Sequence, residues 1–132
     1  MNSFEEKLFL MKQLIEFAKI DGLLHDKEMD FLLLLAEDFG IDKVTYFSLF
    51  NTQEKIVPIS FNDKIIQFYR LALLMQSDGF WHEKEITKIH EIGIMMGLNP
   101  SGIDKLLLIL KKMGPNYITS ELLSNLFTVQ LN

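Results

Sequence analysis

Residues 21–28 read Asp-Gly-Leu-Leu-His-Asp-Lys-Glu, and 57 positions later residues 78–85 read Asp-Gly-Phe-Trp-His-Glu-Lys-Glu. Asp, Gly, His, Lys and Glu stand at the same places in both copies. A turn repeated at this spacing predicts two related halves, about residues 4–50 and 61–113. Gly40 then matches Gly97. Between the matched points, Met29/Ile86, Leu32/Ile89, Leu35/Ile92 and Phe39/Met96 keep an apolar stripe at helical spacing. Ala36/Gly93 keep a small residue at one point on it. The small pair predicts that the second and fifth helices cross closely about a pseudo-two-fold axis.

The rest of the chain reads as helix. Leucine and isoleucine are abundant, valine occurs only at positions 44, 57 and 129, and few stretches alternate with period two. An all-α fold of about seven helices follows, filling residues 1–132 as one domain, since this length suits one core better than two. Ser3 and Glu6 form a capping-box pattern ahead of Phe4, Leu8, Met11, Ile15 and Ala18. That first helix should stop near Asp21 and Gly22. A second helix, apolar on nearly every side, should run from about Asp26 to Phe39 and form the centre of the core. A short third helix follows Asp42, and residues 51–60, with Pro58, make the linker. Ser60 and Asp63 open a fourth helix that ends near Asp78 and Gly79. A fifth runs to Gly97, Asn99-Pro100 starts a sixth, and a last helix covers about residues 120–129.

Composition removes several function classes. There is no cysteine, hence no disulfide, thiolate nucleophile or cysteine-based zinc finger. The longest unbroken apolar run, residues 31–36, is far short of the roughly 20 needed to cross a bilayer. The N-terminus has neither a basic start nor an apolar stretch with a cleavage site. No membrane insertion and a cytoplasmic location are expected. A net charge of -5 with a single arginine, Arg70, argues against a nucleic-acid partner.

The repeated turn has two readings. As helix punctuation, Gly22 and Gly79 close the preceding helix in the left-handed region. His25 and His82 are then N-caps, Glu28 and Glu85 complete capping boxes, and Leu24/Met29 and Trp81/Ile86 form hydrophobic staples. Two features resist this account. Asp21 and Asp78 face the negative end of a helix dipole, at a cost of about 0.3–1 kcal/mol. Histidine is also a poor N-cap beside Ser, Thr, Asp or Asn. A bound divalent cation would compensate the first violation, with Asp21, Glu28, Asp78 and Glu85 as oxygen donors, in one shared site or two. All-oxygen coordination favours Ca²⁺ or Mg²⁺, and recruitment of His25 and His82 moves the preference towards Mn²⁺, Fe²⁺ or Zn²⁺. The spacing fits neither an EF-hand nor the Glu-x-x-His order of di-iron bundles.

Two helical halves, each with Asp-Gly before a helix and Glu in that helix's first turn, resemble the TerB-like domain, named for a bacterial tellurite-resistance protein. The resemblance covers about residues 4–113. It implies a non-enzymatic all-helical module, a role in stress response or in membrane-associated complexes, and clustered acids suspected of holding a divalent metal. Motif position carries this to Asp21, Glu28, Asp78 and Glu85, with Gly22 and Gly79 as the turn glycines. His25 and His82 stand where the family often has a small hydroxyl residue, and Ile20 and Ser77 where a small residue, commonly alanine, is usual; these departures bear on metal identity more than on fold.

Other features are weaker. No Gly-x-Ser-x-Gly elbow, phosphate-binding glycine loop or His-Glu-x-x-His helix is present, so a metal-dependent hydrolase is the minor alternative to a binding module, and a metal-free interaction scaffold is the main one. His90 should be an ordinary histidine outside the site. Phe80 and Trp81 should pack as staple and core. Met75, Met95, Met96 and Met113 should fill gaps in the core. Leu122, Leu123, Leu126 and Phe127 form a stripe that must be buried against this chain, a protein partner or a second copy in a homodimer.

Overall fold

Helix starts follow the local capping chemistry. In the computed structural model, which describes residues 2–20, 22, 24–53 and 56–128, α1 (Phe4–Ala18) begins at Ser3. The Ser3 hydroxyl accepts from the Glu6 N–H at 3.1 Å, and Glu6 accepts from the Ser3 N–H at 2.7 Å. α2 is Asp26–Phe39. Asp42 caps α3 (Lys43–Ser48) by accepting from the Thr45 N–H at 2.8 Å. Ser60 does the same for α4 (Phe61–Gln76) through the Asp63 N–H. After α5 (Glu83–Met95), Asn99 caps α6 (Pro100–Met113), with proline in its first turn where no N–H is needed. A 3-10 turn at Pro115–Tyr117 leads to α7 (Ser120–Thr128). The described residues thus contain seven α-helices and no strand, the all-α class that the periodicity implies. Position 129, assigned to the last helix from sequence, lies outside the described residues.

The centre of the core is the α1–α4 pair, not α2. Leu10, Met11, Leu14 and Ile15 of α1 and Phe68, Leu71, Ala72 and Leu74 of α4 are completely buried, each large side chain contributing about 1.5–3 kcal/mol of transfer energy. α4 touches α1, α2, α5 and α7, whereas α2 packs on α1 and α4 along one side. Leu34 is therefore more than half exposed, and Phe31 and Leu33 are only partly buried. The leucine run of α2 exceeds what its neighbours can cover.

The close crossing of the second and fifth helices does not form. α2 and α5 are not among the helix pairs in extensive contact; α5 packs on α4 and α6. Gly93 is small for that reason. A Cβ there would lie 2.5 Å from Ile103 Cδ1 and 2.9 Å from Phe68 Cε1, so the room is taken by α6 and α4.

Buried polar groups are tied across the helices. Gln67 donates through Nε2 to the Leu10 carbonyl and to Gln13 Oε1, both at 3.0 Å, and its own oxygen accepts from Arg70. Buried Lys12 donates to the Leu49 carbonyl at 2.6 Å, satisfying an acceptor at the end of α3. At the C-terminal side, Leu123 and Phe127 are buried, and the Phe127 ring meets Phe68 edge-on at 6.0 Å. The apolar stripe of α7 is thus covered by this chain, against α6 and α4. No helix among the described residues is long and apolar enough to cross a membrane.

Candidate metal centre

The repeated turns bring the N-terminal ends of α2 and α5 together. Gly22 (φ +85°) and Gly79 (φ +84°) both adopt the left-handed conformation that reverses the chain. His25 and His82 follow as the extended N-cap residues of α2 and α5. Their rings stack, with centroids 5.6 Å apart and planes 4° from parallel. Both Nε2 atoms face one carboxylate oxygen: Asp78 Oδ2 lies 3.0 Å from His82 and 3.6 Å from His25. One ligand atom from each of the three residues falls within 4.8 Å of the others. The Asp78 side chain is 8% exposed, while the histidines keep about a third of their surface open to solvent.

Asp78 has partners ahead of it in the chain. α4 ends at Gln76, two residues before it. Oδ1 accepts from the Phe80 N–H at 2.9 Å, closing a turn with its own backbone, and Oδ2 pairs with His82. Burial raises the Asp78 pKa, but the Phe80 N–H, the His82 hydrogen bond and the charges of His82 and His25 outweigh it, leaving the carboxyl below its ordinary value. Protein groups thus already answer part of the Asp78 charge. Asp21, its counterpart in the first motif, lies outside the described residues.

Glu28 and Glu85 lie deeper, both completely buried. Glu28 Oε1 accepts from the His25 backbone N–H at 3.2 Å, as a capping box requires. Glu28 Oε2, also buried, has no hydrogen-bond partner. Burial pushes the Glu28 pKa up and the charge of Asp78 adds to this; the His25 N–H, the neighbouring Glu85 carboxyl and the charge of His25 pull it down by less, so the carboxyl stays above its ordinary value. Glu28 thus combines a capping role with one buried acceptor oxygen left over.

Of the six sequence-derived donors, three converge in the described structure, His25, Asp78 and His82, and Glu28 and Glu85 are buried as a pair. A site with two imidazole nitrogens and one carboxylate oxygen has the donor chemistry of a cation-binding centre. No family model, curated protein or solved structure matches this chain.

The surroundings revise two smaller expectations. Trp81 packs on the core edge as a staple should, with Lys111 Nζ 5.7 Å from its ring centre, but Phe80 is 68% exposed, because the Asp78–Phe80 turn points it outward beside His82. Among the methionines, Met75 is buried and Met96 partly so, whereas Met95 and Met113 are exposed. His90 is engaged elsewhere, with the Ile86 carbonyl at 2.9 Å and Asp104 at 3.2 Å. Sequence reasoning missed the stacking of the two histidines. The one signal was that both histidines hold the same place in the repeated motif.

Proposed function

We propose that this chain is a non-enzymatic TerB-like module of two related halves, in which the duplicated Asp-Gly-x-x-His-x-x-Glu turns hold a divalent cation and order a protein-interaction surface, with a role in stress response. The observation that carries the reading is the approach of His25 and His82, from different halves, to the single carboxylate of Asp78. Its second support is the buried Glu28 oxygen without a partner. The two-half relationship is supported by contacts between residues 57 apart: the His25 ring stacks on His82, and Gln67 donates to the Leu10 carbonyl. Phe80, exposed with its ring 6.3 Å from that of His82, is the apolar side chain such a site would steady.

Calorimetric titration of chelator-treated protein with Ca²⁺, Mg²⁺, Mn²⁺ and Zn²⁺ tests the reading. Stoichiometric binding of at least one ion is expected, and binding of none removes the cation role. The metal-free scaffold stands as the second reading because the Phe80 N–H and His82 already satisfy Asp78. Asp78→Asn separates the two. A metal site loses its ion-dependent thermal stabilisation, whereas a turn that serves as a cap changes little, since asparagine supplies the same acceptor to the Phe80 N–H.

A further inference from the structure

Resting on the cation reading above, we infer that the site selects a borderline first-row ion of the Zn²⁺ class over Ca²⁺ and Mg²⁺, held by His25 Nε2, Asp78 Oδ2 and His82 Nε2. The donor set decides the class. Imidazole nitrogen suits Zn²⁺, Co²⁺, Ni²⁺, Cu²⁺ and Fe²⁺. Ca²⁺ needs six to eight oxygens at about 2.3–2.6 Å, and Mg²⁺ prefers an octahedron of oxygens. Two of the three converging atoms here are nitrogens.

Distances agree with the smaller coordination sphere. Ligands about 2.0–2.1 Å from a tetrahedral Zn²⁺ lie roughly 3.3 Å apart. The two Asp78–His separations, 3.0 and 3.6 Å, bracket that value, and the three ligand atoms all lie within 4.8 Å of one another. The nearly parallel rings bring the same nitrogen, Nε2, towards the same oxygen from two separate helix starts. Their partial exposure leaves an entry path, and three protein ligands leave a coordination position for water or a further donor. Glu28 supplies an independent indication: its carboxyl group is completely buried, and its Oε2 is an acceptor that no protein group satisfies. The His82 ring makes no N-cap hydrogen bond, so its place at that position is not explained by capping.

The sole tryptophan, Trp81, adjoins His82 and reports on the site. Chelator-treated full-length protein is titrated with Zn²⁺, Co²⁺, Ca²⁺ and Mg²⁺, with Trp81 emission and visible Co²⁺ absorption as readouts. The expected result is 1:1 binding of Zn²⁺ at least 100-fold tighter than Ca²⁺ or Mg²⁺, and intense Co²⁺ bands of a low-coordinate, nitrogen-ligated ion. His25→Gln and His82→Gln should each weaken Zn²⁺ binding at least tenfold, while His90→Gln, outside the cluster, binds as the parent does. Equal affinity for Ca²⁺ or Mg²⁺, with no effect of the histidine variants, overturns the selectivity and leaves the cation reading standing. Binding of no ion overturns both. A hexaaqua-like Co²⁺ spectrum on the unmutated protein, or an equal loss in His90→Gln, overturns the ligand assignment even where a variant fails to fold.

Discussion

Glu28→Gln should make the metal-free protein more stable. Glu28 is completely buried; one of its oxygens accepts from the His25 N–H and the other has no partner. Glutamine keeps the size and the first hydrogen bond, removes a negative charge near Asp78, and presents an N–H₂ that can donate to the Glu85 carboxyl. Relief of one buried unsatisfied acceptor is worth about 1–3 kcal/mol. For a chain of 132 residues each kcal/mol moves the midpoint by roughly 3–4 °C. Thermal unfolding followed by circular dichroism at pH 7 in chelator should therefore show Tm raised by about 3–12 °C. In saturating Zn²⁺ the order should narrow or reverse, because the variant has lost charge that the ion uses. A Tm in chelator that is unchanged or lower would refute the reasoning, since it would mean the protein already balances the Glu28 carboxylate.

Zinc at about 100 times its Kd should stabilise the unmutated protein by roughly 2.7 kcal/mol, or about 10 °C in Tm, checked by the same melts with and without chelator. Gly102→Ala places a Cβ 2.5 Å from the Leu126 carbonyl oxygen and 2.8 Å from the Phe127 ring. Because the obstacle includes backbone, α7 must shift, at a cost of about 1–3 kcal/mol; faster amide exchange in α7 is expected, and parent-like exchange there would contradict the packing. Asp42 is held below its ordinary pKa by the Thr45 backbone N–H and side chain. A depressed folded-state pKa gives stability that is present above the ordinary value near 4 and is lost as pH falls through the folded one. Urea unfolding between pH 5 and 2.5 should show the parent's advantage over Asp42→Asn shrinking as pH drops, and a constant difference would contradict it.

Local chemistry was legible in the sequence, and the way helices share neighbours was not. Ser3, Asp42, Ser60 and Asn99 announce their helices because a cap acts within three residues. The two Asp-Gly turns are equally local, needing only a left-handed glycine. Which helix is central was misread because α2 carries the most continuous leucine run, while burial depends on how many helices surround it; α4 has four neighbours in extensive contact. Gly93 likewise announces a close approach without saying to what, and its neighbours are Ile103 and Phe68. At the candidate site, the residue types were visible but their grouping was not. Asp78 was assigned to the end of the preceding helix, whereas its side chain answers to Phe80 and His82 ahead of it and to His25 from the other half.

That last contact changes what the motif is. Within one half, Asp78 and His82 would be an i, i+4 pair that steadies a turn. His25 approaches the same oxygen from 53 residues away and turns the pair into a junction between the starts of α2 and α5. The bodies of these helices pack on different partners, α2 on α1 and α4, α5 on α4 and α6. A ligand at the junction therefore restrains a part of the fold that extensive helix packing does not. Such a group of donors is assembled only in the folded chain, so its binding free energy is also folding free energy. Closing a long loop through a single point constrains the unfolded chain more than closing a short one. The ion, if held by these three side chains, would act less on the core, which is already filled by α1 and α4, than on the position of the paired turns and of Phe80 exposed beside them.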